Sequence, residues 1–271
     1  THHSTHWQRS VPRYDFRDES IEEVDYEHFI NILPGLFRDA QATMLVHGDI
    51  PLAEARNMAH HAACTLPITT DPETQVTRYV RRLSPGVKQS GFPSSHPDHA
   101  TAFFLQGENT SDEEKAVFLL FNHLANPLFF SELRTRQQLG YLVGSSYVPM
   151  YGLPGILFYI QSPSYSPDLL ADHIQAFLAT FLEQLQHLDD EHWRGAQQAV
   201  SHHLRASASS LRIRAQRLWQ SITHNKSDFE LAFKLADTVS SLPFEVFQQR
   251  MHRHLRDNMA AMALYTTSGK V

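Results

Sequence analysis

The sequence contains a single cysteine, Cys64. That excludes an internal disulfide and any zinc site built from several cysteines. It leaves the compartment open, since periplasmic chains can also lack disulfides. No apolar run approaches the roughly 18–20 residues that a bilayer-spanning helix needs, so no membrane partner is expected. Positive charge is not in excess: 23 Lys and Arg stand against 29 Asp and Glu, a formal charge of −6. A nucleic-acid partner is therefore not expected. The 11 glycines are scattered and form no phosphate-cradling loop, and no G-x-S-x-G elbow occurs. The opening residues, THHSTHWQRSVPRYDFRDES, lack the apolar centre of a signal peptide. They read as a polar lead-in, and the chain is expected to be a fragment of a longer protein.

What is present is an ordinary core-forming composition, 42% apolar over 271 residues, enough for one large domain or one domain plus part of another. Tyr26 to Asp39 has helical spacing, with Pro34 expected to kink or split it. ATMLVHG, Ala42 to Gly48, reads as a strand, and Asp49-Ile50-Pro51 starts a helix that runs to about Leu66. Pro67 to Gln75 reads as a linker. This divides the chain into residues 1–74, the tail of a preceding domain, and residues 75–271.

In the second part VTRYVRRL and HATAFFLQG are expected strands, with a turn-rich stretch between them. Ser111 caps a helix with Glu114 at its third position, and Val117, Leu120, Phe121 and Leu124 mark its buried face. Asn126-Pro127 is expected to start another helix, with Gly140 at its C-terminal stop. YLVGSSYV and GILFYIQS read as strands. Leu170, Ile174, Phe177, Leu178, Phe181 and Leu182 form a long apolar stripe, and further helices are expected near 189–209, 211–224, 228–240 and 243–257. A last strand follows near MAAMALYTTS, though MAAMAL alone fits either period. Strands followed by a run of helices give an α+β fold, a mainly antiparallel sheet covered by helices.

Eighteen histidines raise the question of a metal. His187-Leu-Asp-Asp-Glu191-His192 nearly spells H-x-x-E-H, but its histidines are five apart and diverge by about 140° on a helix. His60-His61 and His202-His203 diverge as neighbours on helices. His96 and His99 lack a clear third ligand. No metal site is expected, and Cys64 reads as a buried free thiol.

The dense cluster of hydrogen-bonding groups is LRTRQQLGYLVGSSY, Leu133 to Tyr147. Arg134 and Gln138 are four apart near a helix end, and Tyr141 opens a strand. One reading pairs Arg134 with an acid such as Glu132 and leaves Tyr141 packed with a wet hydroxyl. The other aims both groups at a carbonyl or carboxylate, as a peptide clamp requires.

NPLFFSELRTRQQLGYLVGSSY, the strand ending in Gln161-Ser162, LWQSI to Phe229 and ATMLVHGDI together resemble the C-terminal half of the M16 metallopeptidases, the pitrilysin and insulysin group. The resemblance implies an M16-type (LuxS/metallopeptidase-like) domain in a chamber of two halves. It implies zinc held by H-x-x-E-H in an N-terminal half, so that this half alone is inactive. The partners implied are that catalytic half and a peptide substrate. Arg134 and Tyr141 match the family's substrate-binding arginine and its transition-state tyrosine. Short relatives include a protease of pyrroloquinoline quinone (PQQ) biosynthesis, which would be cytoplasmic, and pitrilysin, which would be periplasmic. Arg136-Gln137 departs from the acidic residue usual there, which bears on substrate preference. The alternative is an inactive peptide-binding or scaffold subunit that pairs with a separate zinc-bearing half.

Overall fold

The computed structural model describes residues 25–36, 42–65, 80–224 and 228–268. The chain divides into two compact units, Thr1–Thr77 and Arg78–Val271.

In the first unit, helix α1 spans Tyr26–Leu36 and helix α2 spans Leu52–Thr65. Helix α1 passes through Pro34 without a break. Residues 42–46 form no ladder, contrary to the strand expected there, since the described residues of this unit offer no strand for them to join. No residue of α2 is buried. Cys64 is accordingly exposed rather than buried, its Sγ 3.6 Å from His60 Nε2. The expected linker, Pro67 to Gln75, lies outside the described residues.

The second unit is built on five strands: β1 (Gly86–Ser94), β2 (His99–Gln106), β3 (Leu142–Tyr147), β4 (Gly155–Ser162) and β5 (Ala260–Ser268). Their order is β1-β5-β2-β4-β3, with β1 and β5 parallel and the other pairs antiparallel. Strand β1 falls where turns were expected. It is an edge strand, mostly exposed, and so carries no apolar alternation and tolerates Pro93. Residues 80–83 form no strand. Their polar backbone is met by one buried side chain instead: Leu83 N–H donates to Gln106 Oε1 at 2.7 Å, and Gln106 Nε2 donates to the Arg81 carbonyl at 3.2 Å.

Period-two alternation fixes the sheet's inner face. Phe103 and Leu105 of β2, Ile156, Phe158 and Ile160 of β4, and Ala261 and Ala263 of β5 are all buried in one core. Phe103 stands opposite both Phe158 and Ala263. Against this face lie helix α3 (Asp112–Phe129) and helix α4 (Pro167–Leu185); helices α5 (Asp190–Arg205), α7 (Leu231–Ser241) and α8 (Phe244–His252) pack among the helices, with α6 (Leu211–His224) between α5 and α7 in the chain. Ser111 caps α3, accepting from Glu114 N–H at 3.2 Å. Phe121 and Phe129 of α3 meet Phe158 of the sheet and Phe177 and Phe181 of α4.

Helix α3 does not stop at Pro127. It runs on into a π-helical turn, Phe130–Arg136, so Asp112–Arg136 is one 25-residue helical segment. By length and composition that segment could cross a membrane, which the sequence reading did not anticipate. Here its apolar face instead supplies core residues, among them Val117, Leu120, Phe121 and Leu133.

Candidate functional site

The corner between α3 and β3 is shaped by the π turn. Gln137 N–H bonds to the Glu132 carbonyl, five residues back, at 2.9 Å, and Leu139 N–H reaches the Leu133 carbonyl at 3.0 Å. The left-handed residue that ends the helix is Gln138, with φ of 54°, and not Gly140. Gly140 serves a different purpose. A Cβ there would sit 2.1 Å from the Gln161 carbonyl oxygen and 3.2 Å from Ile160 Cγ2. Only glycine lets the chain pass this close to β4. Tyr141 N–H then donates to that same Gln161 carbonyl at 3.2 Å, and β3 begins at Leu142. Helix and strand are also tied directly: Asn126 Oδ1 accepts from Ser145 N–H at 3.1 Å, and Ser145 Oγ donates to Asn122 Oδ1 at 3.0 Å.

The acid expected to pair with Arg134 is taken by others. Glu132 Oε1 accepts from Arg136 Nη2 at 2.5 Å and from Gln137 Nε2 at 2.6 Å. The Gln137 amide, joined by the Arg136 guanidinium, holds its carboxyl below the usual range against the opposing effect of burial. Arg134 is half-buried and makes no hydrogen bond or ion pair among the described residues. Because Gln138 has left the helix, it no longer shares a helical face with Arg134.

Tyr141 is exposed, yet its hydroxyl is held. It donates to Asp98 Oδ2 at 2.7 Å, and the same oxygen lies 3.5 Å from Gln161 Nε2. Asp98 sits in the turn before β2, where its N–H donates to His96 Nδ1 at 3.1 Å. The carboxylate raises the phenol's pKa, first by accepting its hydrogen bond. No hydrogen bond joins Tyr141 to Arg134. Asp98 was missed in the sequence, where Gln161 entered only as the end of a strand. The register that pairs β2 with β4, His99 opposite Ser162, brings them together from 63 residues apart. A groove of about 420 Å³ beside the π turn is lined by Glu132, Arg136, Gln137, His173, Phe177 and Thr180, and by neither Arg134 nor Tyr141.

The near-motif at 187–192 resolves into a helix start. His187 lies in a turn before α5, not on a helix. Asp189 caps α5, accepting from His192 N–H at 2.8 Å, and contacts His192 Nδ1 at 2.7 Å, which raises the imidazole's pKa. No group of three or more His, Cys, Asp or Glu side chains is placed to hold a metal among the described residues. The described residues do not fit a zinc ion.

A family described as PQQ synthase PqqF-like, C-terminal lobe domain 4, matches residues 120–219, the stretch that carries Arg134, Tyr141 and Gln161. The chain is 32% identical over 145 residues to coenzyme PQQ synthesis protein F of Pseudomonas protegens, covering 53% of this chain and 18% of that protein. These similarities support the expected resemblance to the C-terminal half of M16 peptidases. Among solved structures it is similar to pitrilysin, with a TM-score of 0.77 at 18% identity, covering 96% of this chain and 28% of that one. It is also similar to a peptidase M16 inactive domain from Pseudomonas fluorescens, with a TM-score of 0.59 at 18% identity, covering 83% of this chain and 52% of that one. The M16 fold is thus the α+β fold expected from the sequence. The chain spans about a fifth of the length of the PQQ relative it matches.

Proposed function

We propose that this chain closes a peptide chamber against a zinc-bearing N-terminal half, binds the substrate backbone through Arg134, and stabilises the transition state through Tyr141. The observation that carries this reading is the division of labour at the corner. Glu132, Arg136 and Gln137 satisfy one another, while Arg134 is left with an unspent guanidinium. A half-buried arginine fork without a carboxylate suits a peptide carbonyl or a terminal carboxylate. Tyr141 keeps its proton and stays exposed, as a donor to a nascent oxyanion must. The zinc of the other half would supply the activated water. This half would hold the peptide and place a donor at the carbonyl oxygen as it gains charge.

Residues 1–74 would be the tail of the preceding domain of the same protein. The similarity to PQQ synthesis proteins favours a precursor peptide, or its cross-linked product, as the substrate. That reading carries a cytoplasmic location; a pitrilysin-like role carries a periplasmic one.

The test is peptide cleavage by this chain with and without the zinc-bearing half. Cleavage is expected only in the combination. Tyr141→Phe should then lower kcat by about 10²–10³ with little change in KM. An unchanged kcat would remove Tyr141 from catalysis. The second reading, an inactive peptide-binding subunit, is favoured by the similarity to the peptidase M16 inactive domain from Pseudomonas fluorescens. It predicts peptide binding without turnover in the same mixture.

A further inference from the structure

Tyr141 is 53% exposed, whereas the carboxylate that holds its hydroxyl is only 16% exposed. A phenol in water gains little net stability from one more hydrogen bond, since water would serve nearly as well. What the contact does is fix the ring. Asp98 is itself held in two ways, and its partner His96 is anchored in turn. Gln161 Nε2 approaches it from β4, its own N–H is bonded to His96 Nδ1, and His96 N–H is bonded to Ser94 Oγ at 3.2 Å. By alternation, Gln161 lies with Leu157 and Tyr159 on the sheet face away from the helices.

We propose that Asp98 is the positioning residue for Tyr141: it fixes the ring and the O–H of an exposed tyrosine until substrate arrives. This rests on the reading of Tyr141 given above. The motion required is small. Turning the O–H about the Cζ–O bond moves the donated proton from Asp98 to a substrate oxygen, and no proton leaves the phenol. Gln161 continues to donate to the carboxylate that Tyr141 has released. His96 is the other ionisable group at this carboxylate, with Nδ1 4.0 Å from Oδ2.

Two measurements test this. In the first, the 271-residue chain carries ring-labelled tyrosine and its phenol titrations are followed by NMR, with Tyr141→Phe identifying the signal. Tyr141 should titrate above the ordinary tyrosine range and fall back towards it in Asp98→Asn. An unmoved titration overturns the proposal. In the second, the combined two-half enzyme is assayed on peptide. Asp98→Asn should lower kcat about tenfold with KM within about twofold, and Asp98→Glu should restore part of the loss. In a Tyr141→Phe background, Asp98→Asn should change kcat by less than about twofold, because groups acting through one another are not additive. An equal loss in both backgrounds would show that Asp98 acts elsewhere, which overturns the inference and leaves the role of Tyr141 standing. An unchanged or raised kcat in Asp98→Asn overturns it too. If Tyr141→Phe itself leaves kcat unchanged, the reading of Tyr141 fails and the inference falls with it.

Discussion

Gly140→Ala is the most direct test of how the corner is built. The added methyl would lie 2.1 Å from the Gln161 carbonyl oxygen, 2.9 Å from its carbon and 3.2 Å from Ile160 Cγ2. The oxygen is backbone and cannot rotate away. Ile160 is buried in the core and has no room to retreat. Relief therefore requires β3 and β4 to part at this end, breaking the Tyr141 N–H bond to Gln161. Forced overpacking costs typically 1–3 kcal/mol, and one lost hydrogen bond about 1 kcal/mol. A total of about 3 kcal/mol corresponds to a fall in Tm of roughly 6–12 °C for a unit of this size. Gly195→Ala is the control. Gly195 lies in helix α5 with open space around it, and alanine there should stabilise by up to about 1 kcal/mol. Thermal unfolding followed by circular dichroism reads both. A Gly140→Ala chain as stable as the parent would refute the close approach. It would also refute the claim that glycine is needed here for space rather than for helix termination.

Two further perturbations probe the core that supports the site. Glu114 is fully buried, accepts from Glu108 N–H at 2.8 Å and lies 3.0 Å from His254 Nε2, off the axis of a hydrogen bond, with its second oxygen unpartnered. Burial pushes its carboxyl up, but His254, the Glu108 N–H and Arg250 outweigh this and hold it below its ordinary value. The folded state then binds fewer protons than the unfolded state in mild acid. This stabilisation is present above the ordinary glutamate range and is lost as pH falls through the depressed value. Glu114→Gln should cost about 1–3 kcal/mol near neutrality by urea unfolding, and the difference from the parent should shrink in acid; a pH-independent difference would refute the ionised carboxylate. Gln197 Nε2 donates to the Val239 and Leu242 carbonyls at 2.8 and 2.9 Å, closing the end of α7. Gln197→Leu strands both carbonyls and should cost about 2–4 kcal/mol, and a loss below about 1 kcal/mol would mean water replaces the amide.

What the sequence discloses is whatever a local period encodes. Strands β2 and β4 alternate because one face is buried, and α3 and α4 carry apolar stripes at helical spacing because they lie on that face. Strand β1 was hidden because its pairing is with β5, at the far end of the chain, and its own side chains meet mostly solvent. Residues 80–83 looked like a strand but exchange backbone bonds with the side chain of Gln106, which no period records. Pro127 appeared to start a helix because a proline in a helix interior removes one backbone bond. The α-helix nonetheless continues through Pro127 to Phe129 and passes into the π turn. Arg134 and Tyr141 were found by resemblance and by their density of donors. Asp98 was not, since it lies 43 residues from Tyr141 and is reached only through the fold.

The π turn also explains how the corner leaves one arginine uncommitted. In an α-helix, side chains four apart are neighbours, and Arg134 would share its line with Gln138. Widening the turn by one residue places position 132 in line with position 137, and both the backbone and the side chains of that pair are bonded. Arg136, four residues on, still reaches Glu132 as well. Position 134 lies between these contacts, so its guanidinium faces neither acid nor amide of its own turn. Insertions of this kind recur at functional sites because they re-aim one side chain without disturbing the helix before it. The same widening delivers the chain to Gly140, whose missing side chain sets the distance to β4 and with it the reach of Tyr141 to Asp98. A residue deleted from the π turn would restore α-helical register, turn Arg134 by roughly 100° and pull Tyr141 off its acceptor in one step. The two groups are thus set by one backbone irregularity, although no hydrogen bond joins them.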